Sequence, residues 1–503
     1  MKSIFKAVAI VTIFSVITRA LGFLFRIFLS RKLGAVGLGI FQLSSSILGL
    51  FLTLVSSGLP LTTAKLVSKY NTENDLVKKS KVVTTALIIA IFVAIISSFV
   101  IYILKEFWNI ILTDNRAVEI LIILIPSILF SAVYAIFRGA LWGDNDYFNC
   151  GLTELIEQIV RFALTLIFLT NITDTFIATK NSAIAFNLTC LISAIITIII
   201  YFKKSGKLLF QTGEFKHVFK SSAPVTGIRV ANSFVQPLTS LIIPNMLVLS
   251  GFSSSEAIGS FGVIMGMTFP LLFVPMTVVG SLSMVLIPSI SSLMSKKNYS
   301  EIEQNITKSI EISIFISIIF VVLYSSVGDL IGIILYDNSL SGILLQLAGV
   351  CVLPITLCNL TGSLLDALNL EMKSFINYII GSLVLFAGLI SLTPLIGINS
   401  VIVSFFLSMS TISLLNLSKI KKAVPNFNFK YLKVILKYFL IALPTSLFGN
   451  IVSKICLNFF TQFFAGLMGG LVAIISALIL IRLFNLYDIT QLKQFLNRKK
   501  KTT

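Results

Sequence analysis

The chain has 503 residues, of which 56% are hydrophobic and only 12% charged, and its mean hydropathy is +1.00. Soluble domains carry about a quarter charged residues, and here the apolar runs extend from end to end, so a water-soluble enzyme, or a hydrophilic domain hung on one anchor, is excluded. The formal charge of +19 comes from 39 Lys and Arg against 20 Asp and Glu; in a soluble protein it would suggest nucleic acid, but in a membrane protein basic loops must be counted first.

Uncharged runs bounded by charges or turn residues predict an all-α polytopic membrane protein with fourteen spans, at about 20 residues per crossing. In chain order they cover 4–30, 36–64, 82–104, 117–141, 152–172, 181–202, 223–250, 257–290, 307–328, 340–365, 374–393, 397–418, 432–453 and 462–484. Two divisions rest on turn chemistry alone. Ser374 to Ser418 carries no charge and is split at Pro394 and Gly397, while the run from Ala257 to Ser295 is overlong for one helix and is expected to bend at Pro270 and Pro275. The expected organisation is a six-helix lobe over 1–202, a basic linker over 203–222, a second six-helix lobe over 223–418, another basic linker over 419–431, a helix pair over 432–484 and a basic tail over 485–503.

An even number of spans puts both termini on one side. With that side taken as the cytoplasm, 28 of the 39 basic residues fall inside, six fall outside (Arg31, Lys32, Lys105, Arg116, Lys180 and Lys454), and five arginines lie within spans. The surplus charge is therefore mostly a statement of orientation, with both termini cytoplasmic. Lys2 and Lys6 ahead of an apolar stretch resemble a signal peptide, but no small-residue cleavage site follows and the run continues to full membrane length, so it is read as the first helix. Cys150, Cys190, Cys351, Cys358 and Cys456 show no CxxC spacing and read as free thiols. With His217 the only histidine, neither a metal site nor a histidine-based catalytic centre is expected. No phosphate-binding loop of the Walker type occurs and no loop exceeds about twenty residues. An ATPase is thereby excluded, and any transport would draw on an ion gradient, the membrane potential or the substrate's own gradient.

Segments recur at a nearly constant offset. Ala35-Val36-Gly37 precedes the second span as Ala257-Ile258-Gly259 precedes the eighth, 222 residues later, and Pro126 and Pro354 fall in the fourth and tenth, 228 apart. Six helices separate each pair, so the halves share one orientation and would be related by an axis along the membrane normal.

A charge in the hydrocarbon region costs on the order of 3 kcal/mol, and such residues usually face the bundle interior. The five intramembrane arginines are Arg19, Arg26, Arg138, Arg161 and Arg229; their acidic counterparts are Glu154, Glu157 and Asp366. Glu157 and Arg161 have the i, i+4 order of a helical ion pair, and with Asp366 they are the candidate gating or coupling groups. Arg19 and Arg26, two turns apart on one face, and Arg229 have no acidic neighbour at helical spacing. These three, followed by Arg138, are the candidate substrate ligands. Guanidinium forks match phosphate oxygens bidentately, so the anion expected is a phosphate or diphosphate. Pro237, Pro244, Pro270 and Pro275 are the candidate hinges.

Thr18-Arg19-Ala20-Leu21-Gly22-Phe23 with Arg26, the run Ser30-Arg31-Lys32-Leu33-Gly34-Ala35-Val36-Gly37-Leu38-Gly39, and Arg138-Gly139-Ala140-Leu141-Trp142-Gly143 followed by Leu155-Ile156-Glu157-Gln158-Ile159-Val160-Arg161 resemble the stage V sporulation protein B group of polysaccharide transporters. That group lies in the superfamily of lipid II flippases, O-antigen flippases and MATE exporters. The resemblance implies two lobes alternating between inward- and outward-open states, and cargo of the undecaprenyl diphosphate type carrying a saccharide or peptidoglycan precursor such as lipid II. It also implies a tail groove in the last helix pair, over Ala465 to Ile481. Arg19 matches the arginine preceding Leu-Gly-Phe in the lipid II flippases; Arg26 stands one residue later than their second arginine, and Gln42 to Ser46 replaces an arginine-containing stretch. The expected protein is a monomer in the bacterial cell membrane, in contact with membrane lipids and a monovalent coupling ion, with no cofactor and no nucleic acid. The alternative is a MATE-like ion-coupled multidrug exporter, against which the arginine excess argues. A membrane glycosyltransferase would need long acidic external loops, and a passive anion channel is the remotest reading.

Overall fold

The computed structural model describes residues 2–204, 206–210, 214–296, 298–425, 427 and 431–484. The predicted tail and parts of both basic linkers lie outside these, as does the side chain of His217. Among the described residues there is no strand.

The first two predicted spans merge into α1 (Lys2–Ser56), and the turn between them is Gly34, at φ 64° and ψ −174°. Glycine reaches this region without the strain a side chain would add. After a break at Ser57, α2 (Gly58–Thr72) continues the second span. Pro60 accounts for the break, because it has no N–H for the Ser56 carbonyl and its ring crowds that oxygen. Next, α3 (Leu76–Ile103) starts at Asp75, whose carboxylate accepts the Lys78 backbone N–H at 2.9 Å, and is followed by the short α4 (Lys105–Ile111). The fourth span is bent by 41° between α5 (Asn115–Leu124) and α6 (Pro126–Gly143), where Pro126 opens the second piece. Aspartate caps, Asp146 and Asp174, begin α7 (Tyr147–Leu169) and α8 (Thr175–Lys203).

The seventh span divides at Phe234 into α9 (Phe215–Ser233) and α10 (Val235–Leu249). Pro237 cannot donate to Ser233, the last residue of α9, whereas Pro244 lies within an unbroken α10. The eighth breaks at both expected prolines. From α11 (Ser254–Phe261) the chain enters a π-helical stretch, Gly262–Thr268, then α12 (Phe269–Leu272) with Pro270 in its first turn and α13 (Val274–Ser295) with Pro275 in its first turn. At the start of a helical piece the missing N–H is not needed. The remaining spans are α14 (Tyr299–Tyr336), the pair α15 (Ser339–Ala348) and α16 (Val352–Ala367) joined by a 3-10 turn, α17 (Glu371–Ile396), α18 (Asn399–Ala423), α19 (Tyr431–Cys456) and α20 (Gln462–Leu483). Gly397, at φ 57°, separates α17 from α18. All fourteen predicted segments are helical, and among the described residues length and apolarity qualify ten helices to cross a membrane, or eleven with the bent pair, the first of them running through both of the first two predicted spans.

The chain forms two compact units, residues up to 266 and from 267 onward. In the first, α1 packs along α5 to α8 and also meets α9, α10 and α11, so the seventh span and the start of the eighth lie with the first six. In the second, α14 packs on α15, α16, α19 and α20. Gly449 and Gly469 let α19 and α20 approach closely: a Cβ at Gly449 would stand 2.8 Å from the Gly469 carbonyl oxygen. Buried amides join α17 to α18 and α18 to α16, Asn377 Nδ2 donating to Asn416 Oδ1 at 2.9 Å and Asn416 Nδ2 to Thr361 Oγ1 at 3.1 Å.

Candidate functional site

All five intramembrane arginines belong to the first unit. The turn Asp144-Asn145-Asp146, with Asn145 at φ 59°, folds α6 and α7 into a hairpin. Arg138 and Glu154 stand eight residues before and after Asp146, so the hairpin brings them together, and Arg138 Nη2 donates to Glu154 Oε2 at 2.5 Å. Glu157 and Arg161 pair as their spacing implied. The Arg161 guanidinium also lies 5.3 Å from the ring centre of Phe186 on α8, and that of Arg138 lies 6.0 Å from Tyr134. Each arginine keeps a buried Nε with no partner among the described residues, as does the Tyr134 hydroxyl. The result is a neutral, polar layer of two ion pairs between α6, α7 and α8.

The other three arginines are placed differently. Phe14 meets Phe148 at 5.5 Å, and Phe25 and Phe28 meet Phe162 at 6.4 and 5.6 Å, which fixes the α1 face that packs on α7. Arg19 and Arg26 lie off that face and are exposed. Arg19 has no ion-pair partner among the described residues. Arg229 is exposed on α9, three residues past Thr226 and seven past Ser222, on the face that meets α2. Asp366, in the second unit, is exposed at the end of α16.

Two closures flank these groups within the first unit. At the Gly34 end, Gly39 lies against Ile258, and Gly262 lies against Ala35; neither glycine has room for a Cβ. Ile258 and Gly262 each follow Ala35 and Gly39 by 223 residues. The contact is thus reciprocal, as a pseudo-twofold between the repeated segments requires. Beside it, Thr113 Oγ1 donates to Asn245 Oδ1 at 3.1 Å and Ser254 Oγ to the Thr113 carbonyl at 2.7 Å. Where α2 begins, a Cβ on Gly58 would stand 2.7 Å from the Ser222 carbonyl oxygen. At its Thr72 end, Lys79 Nζ pairs with Asp144 Oδ1 at 2.5 Å, and Asn71 Nδ2 donates to the same oxygen at 2.7 Å.

Sequence reading had left Arg138 without a named partner and had passed over Pro60. The signals were present: Asp146, at the end of the turn, is equidistant from Arg138 and Glu154, and Pro60 and Pro288 share the 228-residue offset of Pro126 and Pro354.

Residues 4–294 match the family described as polysaccharide biosynthesis protein. Stage V sporulation protein B of Bacillus subtilis (strain 168) is 25% identical, the match covering 84% of each chain. Lipid II flippase MurJ of the same organism is 23% identical over 93% of this chain and 91% of the relative. Among solved structures, lipid II flippase MurJ in an inward closed conformation has a TM-score of 0.72 at 18% identity, over 94% of this chain and 98% of that one. An inward-facing MATE family multidrug transporter of the MOP superfamily has a TM-score of 0.68 at 13% identity, over 81% of this chain and 95% of that one. The group read from the Arg19 and Arg138 motifs is the one these matches return, and the fold is that of the MOP superfamily. With more than half its length matched, the chain belongs to the polysaccharide biosynthesis protein family.

Proposed function

We propose that this multi-pass membrane protein is a flippase for an undecaprenyl-diphosphate-linked saccharide or a lipid II-like precursor, moving it from the inner to the outer leaflet by alternating access. One observation carries the reading. Arg138 and Arg161 are neutralised by their own glutamates, whereas Arg19 and Arg229 are exposed on membrane helices with no ion-pair partner among the described residues. Exposed guanidinium groups at that depth are costly unless an anion or water meets them, and a diphosphate supplies the oxygens. The diphosphate sits on Arg19 and Arg229, with Arg26 on the same helix as Arg19, and the prenyl tail stays in lipid.

In this reading the lobes are 1–202 and 223–418, with both termini cytoplasmic in the bacterial cell membrane. The reciprocal Gly39 and Gly262 contact is the outer closure and the Gly58 contact the inner one. Pro237, Pro270 and Pro275, each at the start of a helical piece, let those pieces tilt, and Pro244 weakens α10 without breaking it. The Glu157–Arg161 pair and Asp366 are the coupling candidates, for a monovalent ion or a proton. The protein works as a monomer without a cofactor. A MATE-like exporter of cations needs uncompensated carboxylates, and Glu154 and Glu157 are both held by arginines. The test is flipping by reconstituted Arg19→Ala and Arg229→Ala variants, both of which lose transport if the clamp is correct; Na⁺- or H⁺-dependent efflux of cationic dyes would favour the exporter instead.

A further inference from the structure

The Leu271 carbonyl of α12 would ordinarily accept the backbone N–H four residues on, but that residue is Pro275, which has none. Its partner comes from another helix: the Tyr324 hydroxyl of α14 donates to Leu271 O at 2.8 Å, and Tyr324 is only 4% exposed. Three residues further along α14, the backbone leaves helical angles at Val327, with φ −132° and ψ 19°. This helix contains no proline, and a bend without one commonly marks a side chain inserted into the hydrogen-bond ladder. Here the inserted groups can be named. Leu330, four residues past Ser326, gives its N–H to the Asp329 carboxylate at 2.9 Å, and the Ser326 carbonyl accepts from Asn450 Nδ2 of α19 at 2.8 Å. The Ser325 carbonyl accepts from Gln346 Nε2 of α15 at 3.1 Å. The last helix pair is also seated on the bend: a Cβ on Gly469 would stand 3.0 Å from Val327 Cγ1, and one on Gly449 would stand 3.1 Å from Ser326 Cβ.

We infer that Tyr324 and Asn450 are positioning residues that latch the Pro275 break to the last helix pair, so that α13 and the pair α19–α20 change setting together. The chain of contacts is continuous, from Leu271 to Tyr324, along α14 to the bend, and from Ser326 to Asn450. Leu271 and Ser326 are both buried, so a movement that withdraws either donor leaves a carbonyl with no water to replace it. Such a contact is either made or lost, which favours two discrete settings over a continuum. Because Tyr324 and Ser326 lie within one turn of the same helix, a change at one end of the latch is felt at the other. Gln346 holds the opposite side of the bend and keeps α15 with it. That α13 moves at all rests on the alternating-access reading above; the geometry of the latch does not.

The test is double electron–electron resonance on the full chain in nanodiscs, with the native cysteines replaced and spin labels on two pairs of exposed positions. Ser281→Cys on α13 and Ile475→Cys on α20 are each measured against Leu407→Cys on α18. Tyr324→Phe removes the hydroxyl alone, and Asn450→Leu removes the amide at similar volume. Each variant is expected to raise a second distance population about tenfold relative to the first, and to do so in both label pairs, including the one remote from the substitution. A variant that leaves the remote pair unaltered overturns the latch, since a merely structural contact disturbs only its own neighbours. Flipping of a lipid-linked saccharide by the same proteins in proteoliposomes separates this result from the transport reading. If both label pairs respond while the unsubstituted protein flips nothing, that reading fails and the latch stands; if every variant flips at the unsubstituted rate with unchanged distances, the latch fails and the reading stands.

Discussion

Arg138 and Glu154 lie eight residues on either side of Asp146 and meet across the α6–α7 hairpin at 2.5 Å. Because each side chain is about one-third exposed, 33% and 36%, the pair lies between the surface and buried limits. Glu154→Gln is expected to lower stability by about 2 kcal/mol, since it strands a guanidinium with a buried Nε. The double variant Arg138→Met/Glu154→Met is expected to lose less than the sum of the single changes. Thermal melting in detergent provides the cycle, and simple additivity would show that the contact contributes nothing.

The Glu157–Arg161 pair is more enclosed, with side-chain exposures of 18% and 21%. Here Glu157→Gln is expected to cost more, about 3 kcal/mol. The exchange Glu157→Arg/Arg161→Glu restores the internal pair, so it recovers the melting temperature; if the pair also couples transport, flipping stays lost. Recovery of both would reduce the pair to a structural role.

The contact of Gly39 with Ile258 and of Gly262 with Ala35 is reciprocal. Gly39→Val and Gly262→Val should therefore have matching effects, each pushing the helices apart at the same closure. Labelling of a cysteine placed at Ala35 by a membrane-impermeant maleimide should rise in both variants. A rise in only one would mean that the contact is not a twofold.

Asp75 caps α3, and its carboxyl is held below the usual carboxylate range, first by the Lys78 backbone N–H and then by the Lys78 side chain. A lowered folded-state value means that the stabilisation is complete above the unfolded carboxylate's titration and is lost as pH falls through the folded value. Asp75→Ala should therefore melt below the unsubstituted protein at neutral pH, with the gap closing on acidification. A gap independent of pH would remove the carboxylate from the account.

What could be read from the sequence was whatever depends on neighbours along the chain. Gly34 and Gly397 mark turns because only glycine takes those angles cheaply, Pro270 and Pro275 break the eighth span because a missing N–H acts locally, and Glu157 and Arg161 pair because four residues make one turn. What could not be read depends on tertiary contact. The Arg138–Glu154 pair needs the hairpin to close, and the packing of α9 to α11 on α1 joins segments far apart in the chain. Pro60 is a different case, since its effect is local and the kink at Ser57 was open to prediction.

The central claim is that exposed arginines on the first and seventh spans hold a diphosphate during transport. Undecaprenyl diphosphate-linked saccharide flipping in proteoliposomes, compared between the unsubstituted protein, Arg19→Ala and Arg229→Ala at equal protein density, tests it most directly. Loss of one bidentate charge-assisted contact should slow flipping by at least about tenfold in each variant, with melting temperatures unchanged because neither side chain has an ion-pair partner among the described residues. Flipping at the unsubstituted rate in both variants would contradict the clamp.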